Sequence, residues 1–275
     1  MRILRTELPS GERVYAAREP DGRVRRLAGP PFETLQTVGE PFAAGRILAP
    51  VEAAAVIGIA QNYRAHAMEM GGELPERPVF FMKLPTVVIG PDEPIRLPRA
   101  LRSDKVDYEG ELAVVIGKTC RNVSREEATD CILGITAAND VTARDWQKEW
   151  GGGQFCRGKS FDTFCPLGPE IVTLDEAGDI NDLRIVTRLN GEVMQDSRTS
   201  DLIFNVAELI AFVSGSTTVP AGTVVLTGTP SGVGVARTPP RFLRAGDGVE
   251  IDVEGVGTLR NPVEDEPLPS GASGH

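Results

Sequence analysis

Residues 107–116 read Asp-Tyr-Glu-Gly-Glu-Leu-Ala-Val-Val-Ile. The apolar end of this stretch predicts a β-strand anchored in a core, and we place the strand at residues 106–117. Because side chains two apart on a strand point to the same side, Asp107, Glu109 and Glu111 are predicted to share one face. Like charges beside a core repel each other and lose hydration, a cost that a divalent cation reverses. Carboxylate oxygens suit Mg²⁺, Mn²⁺ or Ca²⁺. For the isolated motif, the alternative is a solvated strand end with scattered acids.

Composition and charge exclude several classes of protein. The chain has 275 residues, of which 41% are hydrophobic and 25% charged, as expected for one large or two small globular domains. Its net charge of −10 and the lack of a basic stripe argue against nucleic acid or an anionic membrane as a partner. No stretch approaches the roughly 18 apolar residues of a membrane span. The N-terminus lacks the apolar core of a signal peptide, so a cytoplasmic location is expected.

The cysteine pattern does not predict a metal cluster or a disulfide framework. The four cysteines form no C-x-x-C pair and are expected to be free thiols: Cys120, Cys131, Cys156 and Cys165.

The pattern of turns and apolar runs suggests a β-rich chain in three parts. Residues 1–47 form a small β-rich N-terminal domain, residues 50–263 a larger domain, and residues 264–275 a disordered tail. The predicted strands of the larger domain, besides the acidic one, are 56–60, 79–83, 135–138, 185–189, 192–194, 224–226, 249–253 and 257–260. Asn190-Gly191 marks a hairpin turn.

Three helices are predicted from capping and spacing. Asn62 is the expected cap of a short helix that runs to about Met70. Ser124 and Glu127 form a capping-box pattern that predicts a helix ending at Gly134. Apolar residues at helical spacing predict a third helix over 206–213. Residues 148–158, with three consecutive glycines, are expected to form a loop.

A third carboxylate joins the two glutamates as a candidate metal ligand. Asp140 follows a short apolar strand, about thirty residues after Glu111, with a helix predicted between them. Two neighbouring strands can therefore bring Glu109, Glu111 and Asp140 together. Three acids leave about three octahedral positions around Mg²⁺ for water or substrate.

Histidine is scarce, which draws attention to His66. The other histidine, His275, is the final residue. Glu69 lies three residues after His66 on the same helix face, and a carboxylate beside an imidazole raises its basicity and fixes its tautomer. The pair can activate water, or it can be an ordinary exposed pair. Lys159 can hold a substrate carboxylate or stabilise an enolate oxygen, although a solvated surface lysine is the common case.

Five motifs in this order resemble the fumarylacetoacetate hydrolase family over roughly residues 50–263. They are IAQNYRAH at 59–66, DYEGEL at 107–112, NDVTARD at 139–145, GKSFD at 158–162 and LTGTPSGVG at 226–234. The last lacks the Gly-Lys-Ser/Thr ending of a phosphate-binding loop. Together the motifs are specific, whereas each alone is weak.

The resemblance implies a fold, a cofactor and site residues. The fold is mainly β with a few short helices (α+β), a mixed β-roll, usually in a homodimer. The cofactor is Mg²⁺ or Mn²⁺, with Ca²⁺ able to take its place in a crystal. The residues that match the family's metal ligands are Glu109, Glu111 and Asp140, the catalytic matches are His66, Glu69 and Lys159, and the substrate-binding matches are Tyr63, Arg144, Gln147 and Thr229.

The activity expected from the resemblance is metal-dependent hydrolysis or decarboxylation of a small anionic keto acid. Candidate substrates are 2,4-diketo or β-keto acids such as acylpyruvates, fumarylpyruvate and oxaloacetate, cleaved at a C–C bond through an enolate. One alternative is an isomerase or hydratase of 2-hydroxymuconate-type diacids in aromatic catabolism. Another is a catalytically silent metal-binding protein on the same fold.

Overall fold

The computed structural model describes residues 1–150 and 152–268. Strands predominate, and the helices are short, which confirms the predicted mainly β class. The α-helices are α1 (Arg64–Glu69), α2 (Phe155–Lys159), α3 (Leu174–Ala177) and α4 (Val206–Ser214), and a π-helical turn spans Asp145–Glu149. The strands are β1 (Arg2–Glu7), β2 (Arg13–Arg18), β3 (Val24–Leu27), β4 (Thr37–Phe42), β5 (Arg46–Leu48), β6 (Ala55–Ala60), β7 (Val79–Lys83), β8 (Val88–Ile89), β9 (Ile95–Leu97), β10 (Val106–Asp107), β11 (Gly110–Ile116), β12 (Ile132–Asn139), β13 (Thr142–Ala143), β14 (Cys165–Val172), β15 (Arg184–Leu189), β16 (Glu192–Arg198), β17 (Thr223–Leu226), β18 (Gly248–Val253) and β19 (Gly257–Asp265).

Two mixed sheets build the core. The larger sheet has the order β4-β3-β2-β1-β14-β12-β11-β17-β6-β7, and β5 and β8 pair with β1 and β14. The smaller has the order β16-β15-β18-β19-β9 and packs on β11, β12 and β14. All seven residues of β11 are buried, because Leu112 and Val114 join the core shared with the smaller sheet while Ala113 and Val115 face the opposite side. A strand covered on both faces is apolar throughout, as this one is after its glutamate.

The N-terminal strands belong to the same large sheet. Strand β1 pairs with β14, with Arg2 opposite Val172 and Ile3 opposite Ile171. A domain boundary at residues 47–50 therefore stays a proposal. At the other end of the chain, β19 extends to Asp265. The predicted start of the tail at residue 264 is therefore too early in the sequence. Residues 269–275 of that predicted tail, including His275, lie outside the described residues.

The acidic strand predicted at 106–117 is two strands. Val106 and Asp107 pair with β13, whereas Gly110 onwards pairs with β12 and β17. The chain changes partners at Tyr108 and Glu109, and this break was not visible in the alternation of residues. Asp107 therefore belongs to a different strand pair from β11, although Arg144 contacts both its carboxylate and that of Glu109.

The helix predicted after Ser124 is only a 3₁₀ turn over Ala128–Cys131. Both capping-box hydrogen bonds form between Ser124 and Glu127. Ile132 nevertheless starts β12, because it pairs with Ile116 across the sheet. Strand pairing thus ends the helix before the predicted Gly134.

The predicted cap of α1 is also wrong. Tyr63, not Asn62, precedes the helix, and it makes no capping hydrogen bond. The buried Asn62 side chain instead donates to the carbonyls of Phe204 and Thr227 and accepts from the Phe204 amide. The loop predicted at 148–158 contains the end of the π-helical turn and most of α2, while Gly151 lies outside the described residues. None of the helices described is long and apolar enough to cross a membrane.

Candidate active site

Three predicted metal ligands meet at the end of β11 and β12. Oxygens of Glu109, Glu111 and Asp140 lie within 4.8 Å of one another, and all three residues are buried. The pairing of β11 with β12 places them, since the Asp140 amide donates to the Glu109 carbonyl over 2.8 Å. The Glu109 amide donates in turn to the Asn139 side chain over 3.0 Å. Strand periodicity and the position of Asp140 at a strand end predicted this convergence, and the pairing of β11 with β12 produces it.

Asp107 has a different role from the two glutamates. Its carboxylate accepts from the amides of Gly234 at 2.8 Å and Val235 at 3.0 Å, and from Arg144 Nε at 2.9 Å. Arg144 Nη2 then lies 2.6 Å from Glu109 Oε1. Asp107 therefore anchors an arginine beside the carboxylate cluster.

Two buried lysines complete the charge pattern around the cluster. Lys159 Nζ lies 2.7 Å from Glu109 Oε2 and 2.5 Å from Asp140 Oδ2. Lys83 Nζ lies 2.5 Å from Asp140 Oδ1. Burial lowers the pKa of Lys159, but the charges of Asp140 and Glu109 outweigh it and raise the pKa overall. Lys159 therefore carries its positive charge at neutral pH.

The two glutamates of the cluster differ in charge state. Burial raises the pKa of Glu109, yet Lys159 and Arg144 outweigh it and hold the pKa well below its usual range. The pKa of Glu111 is raised well above its usual range by burial, and then by Asp140 and Glu109. The Gly228 amide donates to Glu111 over 2.7 Å, and no salt bridge reaches this carboxylate from the described residues. Glu111 is thus the carboxylate whose negative charge most needs a cation.

A divalent cation fits this donor set. Four buried acids, Asp107 and the three clustered carboxylates, face three buried cations, Lys83, Arg144 and Lys159. Among the described residues no salt bridge compensates Glu111, and a bound cation would stabilise its charged form. Oxygen donors of this kind select Mg²⁺ or Mn²⁺ over softer metals.

The predicted dyad stands beside the cluster. His66 Nδ1 and Glu69 Oε2 are 3.0 Å apart, and Glu69 Oε1 accepts from the Gly232 amide over 2.8 Å. His66 is buried and lines the cavity, and its Nε2 has no hydrogen-bond partner among the described residues. With Nδ1–H donated to Glu69, Nε2 is the basic nitrogen.

A cavity of about 60 Å³ joins these groups. Of the predicted substrate-binding residues, Arg144, Gln147 and Thr229 line it. Tyr63 does not: it is buried outside the cavity lining, and its hydroxyl has no hydrogen-bond partner among the described residues. The other lining residues are Ile59, Ala60, Gln61, His66, Met70, Phe81, Glu109, Glu111, Asp140, Lys148, Phe155 and Lys159.

The sequence reasoning missed Lys83 and Lys148. Lys83 ends a strand that was predicted correctly, and period-two spacing places it on the same face as the buried Phe81. A lysine on the buried face of an apolar strand was the available signal. Lys148 follows the predicted Gln147, but nothing in its spacing marks it.

A family comparison matches most of the chain. The model described as "Fumarylacetoacetate (FAA) hydrolase C-terminal" matches residues 55–264. The match begins at β6 and ends in β19, and it includes every residue that lines the cavity.

Individual relatives are similar over long stretches. A Xenopus laevis protein named "Oxaloacetate tautomerase fahd2, mitochondrial" is 45% identical over 218 residues, 79% of this chain and 68% of that one. "Oxaloacetate tautomerase YisK" of Bacillus subtilis is 46% identical over 210 residues, 76% of this chain and 69% of that one. The crystal structure of a Mycobacterium smegmatis protein titled 5-carboxymethyl-2-hydroxymuconate delta-isomerase superposes with a TM-score of 0.85, at 42% identity, over 97% of this chain and 100% of that one.

Proposed function

This chain belongs to the fumarylacetoacetate hydrolase family, and on that premise we propose that it enolises a small 2-oxo dicarboxylic acid of the oxaloacetate class. The observation that carries the proposal is the His66–Glu69 dyad, whose imidazole shares one narrow cavity with Lys159 and three carboxylates. Proton abstraction beside a carbonyl uses a base to take the proton and positive charge to stabilise the enolate. Here the base is the imidazole, and the positive charge comes from the ammonium group and from a metal ion that the carboxylates can bind.

The cavity's cations support a substrate with two carboxylates. Arg144 and Lys159 are both paired with the carboxylate cluster. Lys148 also lines the cavity, and the described residues form no salt bridge with it. Burial, followed by the neighbouring Arg144, lowers the pKa of Lys148, so an incoming anion would stabilise its charged form. The names of the Xenopus and Bacillus relatives point to the same substrate class.

Glu109, Glu111 and Asp140 would hold the divalent cation. When bound, it supplies Lewis-acid polarisation of the 2-oxo acid. His66 Nε2 takes a proton from C3 of the keto acid. The C–H electron pair forms the C2–C3 double bond, and the π pair of the C2 carbonyl moves to its oxygen. Glu69 holds the resulting imidazolium in place, and the Lys159 ammonium stabilises the enolate oxygen. Return of the proton to that oxygen gives the enol, so the reaction is a balanced tautomerisation.

The same enolate permits C–C bond cleavage as a second candidate activity. Loss of CO₂ from a β-keto acid produces the enolate directly, and attack of water on a 2,4-diketo acid releases it. The dyad is compatible with this candidate because His66 is a base that can also take a proton from water. Isomerisation or hydration of a 2-hydroxymuconate-type diacid would use the same groups, and the mycobacterial structure is named as an isomerase of a 2-hydroxymuconate derivative. A homodimer and a cytoplasmic location belong to the proposal, although the Xenopus relative is named mitochondrial.

The test is a turnover assay with separate detection of products. Enolic oxaloacetate, acetylpyruvate and fumarylpyruvate are incubated with protein and Mg²⁺, followed by ultraviolet absorbance and mass spectrometry. Faster loss of the enol at constant substrate mass supports tautomerisation, whereas loss of CO₂ or a fragment supports cleavage. His66→Gln should reduce turnover while leaving Mg²⁺ binding intact, and Glu111→Gln should weaken both. Glu127→Gln, at the exposed capping box, is the matched control.

Two results would contradict the proposal. Full turnover after rigorous removal of metal would show that the carboxylates serve another purpose. Metal binding without turnover of any substrate in the panel would favour the silent metal-binding alternative.

A further inference from the structure

Lys83 is a buried lysine that the proposed reaction does not use. It is the last residue of β7, an edge strand, yet its side chain is 0% exposed. Lysine is almost never fully buried without a partner, because desolvating an ammonium group is costly. Lys83 Nζ has two partners: Asp140 Oδ1 at 2.5 Å and the Val141 carbonyl at 3.2 Å.

These contacts restrain the Asp140 carboxylate oxygen that Lys159 does not contact. Lys83 holds Oδ1, while Lys159 lies 2.5 Å from Oδ2. The backbone is fixed as well, because the Asp140 amide donates to Glu109 and its carbonyl accepts from Thr142 Oγ1 over 2.8 Å. A carboxylate held at both oxygens cannot turn freely about its last torsion angle. Its orientation toward Glu109 and Glu111 is therefore set before any ligand enters.

We propose that Lys83 is a positioning residue that orients the Asp140 carboxylate for binding a divalent cation. Lys83 does not line the cavity, so it acts through Asp140 and not on substrate. The inference rests on the proposed function only where enzyme activity is measured. The measurement of cation binding is independent of the proposed function. Partners of this kind behind a metal ligand typically change metal affinity or activity about 10–100-fold when removed.

The position of Lys83 in the fold supports a role tied to the site. Phe81, two residues earlier on the same face of β7, packs under Lys159, whose Nζ lies 4.9 Å from the ring centroid. One edge strand therefore contacts both Asp140 and Lys159. Its other face is apolar and exposed at Phe80 and Met82, whereas Lys83 is buried and contributes no charge to the protein surface.

Two other roles for Lys83 make different predictions. As a filler of core volume, it would affect the free energy of unfolding but not cation affinity in the folded protein. As a positive charge alone, it would repel a divalent cation, so removing it would tighten binding. Only a positioning role predicts weaker binding when the ammonium is lost and also when its donors are moved with the charge retained.

The experiment measures Mn²⁺ binding by isothermal titration calorimetry, without substrate, for wild type, Lys83→Met and Lys83→Arg. Methionine keeps an unbranched chain of similar length without charge, and arginine keeps the charge but moves the donors. Lys105→Met is the matched control, because Lys105 pairs with Glu149 at 2.5 Å on the surface. Circular dichroism and thermal unfolding establish that each variant is folded. Turnover kinetics on the oxaloacetate panel then separate kcat from KM.

We expect the Mn²⁺ Kd to rise about tenfold or more in both Lys83 variants and to stay unchanged in the control. In an Asp140→Asn background, Lys83→Met should cause little further loss, because the two residues act as one unit. Wild-type or tighter Mn²⁺ binding in either folded Lys83 variant would overturn the proposal. If Lys83→Met does not fold, Lys83→Arg alone decides.

The two proposals fail in different ways. Wild-type protein that binds Mn²⁺ but turns over no substrate contradicts the proposed function alone, and the Lys83 comparison still holds. Wild-type protein that binds no Mn²⁺ overturns the Lys83 proposal.

Discussion

Replacing Gly58 with alanine should disturb the site by displacing an aromatic ring that packs against it. Gly58 of β6 pairs with Phe81 of β7, and a Cβ atom at Gly58 would come within 2.2 Å of Phe81 Cζ. Ordinary contacts of a Cβ atom begin near 3.4 Å, so the ring must move by about 1 Å. The ring is buried and supports Lys159, which leaves it little room to move without changing the cluster.

The expected cost follows from packing. Overfilling a core typically costs about 1–3 kcal/mol. Alanine recovers about 0.5–1 kcal/mol of the conformational entropy that glycine loses in a strand. The net loss in the free energy of unfolding should be centred at about 1 kcal/mol and reach at most about 2.5 kcal/mol; a loss of about 1 kcal/mol lowers Tm by roughly 2–4 °C in a domain of this size. Loss of the contact between Lys159 and the ring, worth about 0.5–1 kcal/mol, should lower kcat roughly 2–5-fold.

Differential scanning calorimetry and kcat on the proposed substrate measure the two effects. Gly248→Ala is the control, since a Cβ atom there meets nothing within 4 Å. Phe81→Leu should relieve the clash, so the double variant Gly58→Ala/Phe81→Leu should be more stable than the sum of the single changes predicts. A Gly58→Ala protein as stable and active as Gly248→Ala, or strict additivity in the double variant, would refute the reasoning.

Three further changes test other parts of the structure. Asn62→Leu removes the side chain that satisfies three backbone groups, and urea unfolding should show a loss of about 2–4 kcal/mol; a loss below about 1 kcal/mol would mean that water satisfies those groups. Burial raises the pKa of Asp247, but hydrogen bonds from Arg241 and Asn190 lower the pKa overall. The ionised carboxylate therefore stabilises the folded protein fully above the ordinary pKa of about 3.9, and this stabilisation is lost as the pH falls below that value. Asp247→Asn should therefore cost about 1–3 kcal/mol at pH 7, with the gap to wild type closing in acid, and a gap that is constant with pH would contradict this. Lys148→Met should raise KM roughly tenfold for dicarboxylates and leave monocarboxylates unaffected, and equal effects on both would show that Lys148 does not contact the second carboxylate.

Much of the secondary structure followed from local patterns. The apolar run after Glu111 lies in a fully buried strand, Asn190-Gly191 joins two antiparallel strands, and apolar residues at helical spacing form α4. These features could be predicted because each depends on residues that are close together in the sequence. The capping box after Ser124 formed as well, but pairing of Ile132 with a distant strand ended its helix early.

For the candidate site, residue spacing alone placed the two glutamates together and put Asp140 at the end of a neighbouring strand. Periodicity is a property of the chain itself, so it needs no knowledge of the fold. Only the tertiary structure decided that Asp107 pairs with Arg144, and that Lys83 reaches Asp140 from an edge strand 57 residues away in sequence. It also placed Glu111 where no salt bridge reaches it from the described residues. Charge compensation depends on distances between segments far apart in the chain and on their burial, and neither quantity is contained in local spacing.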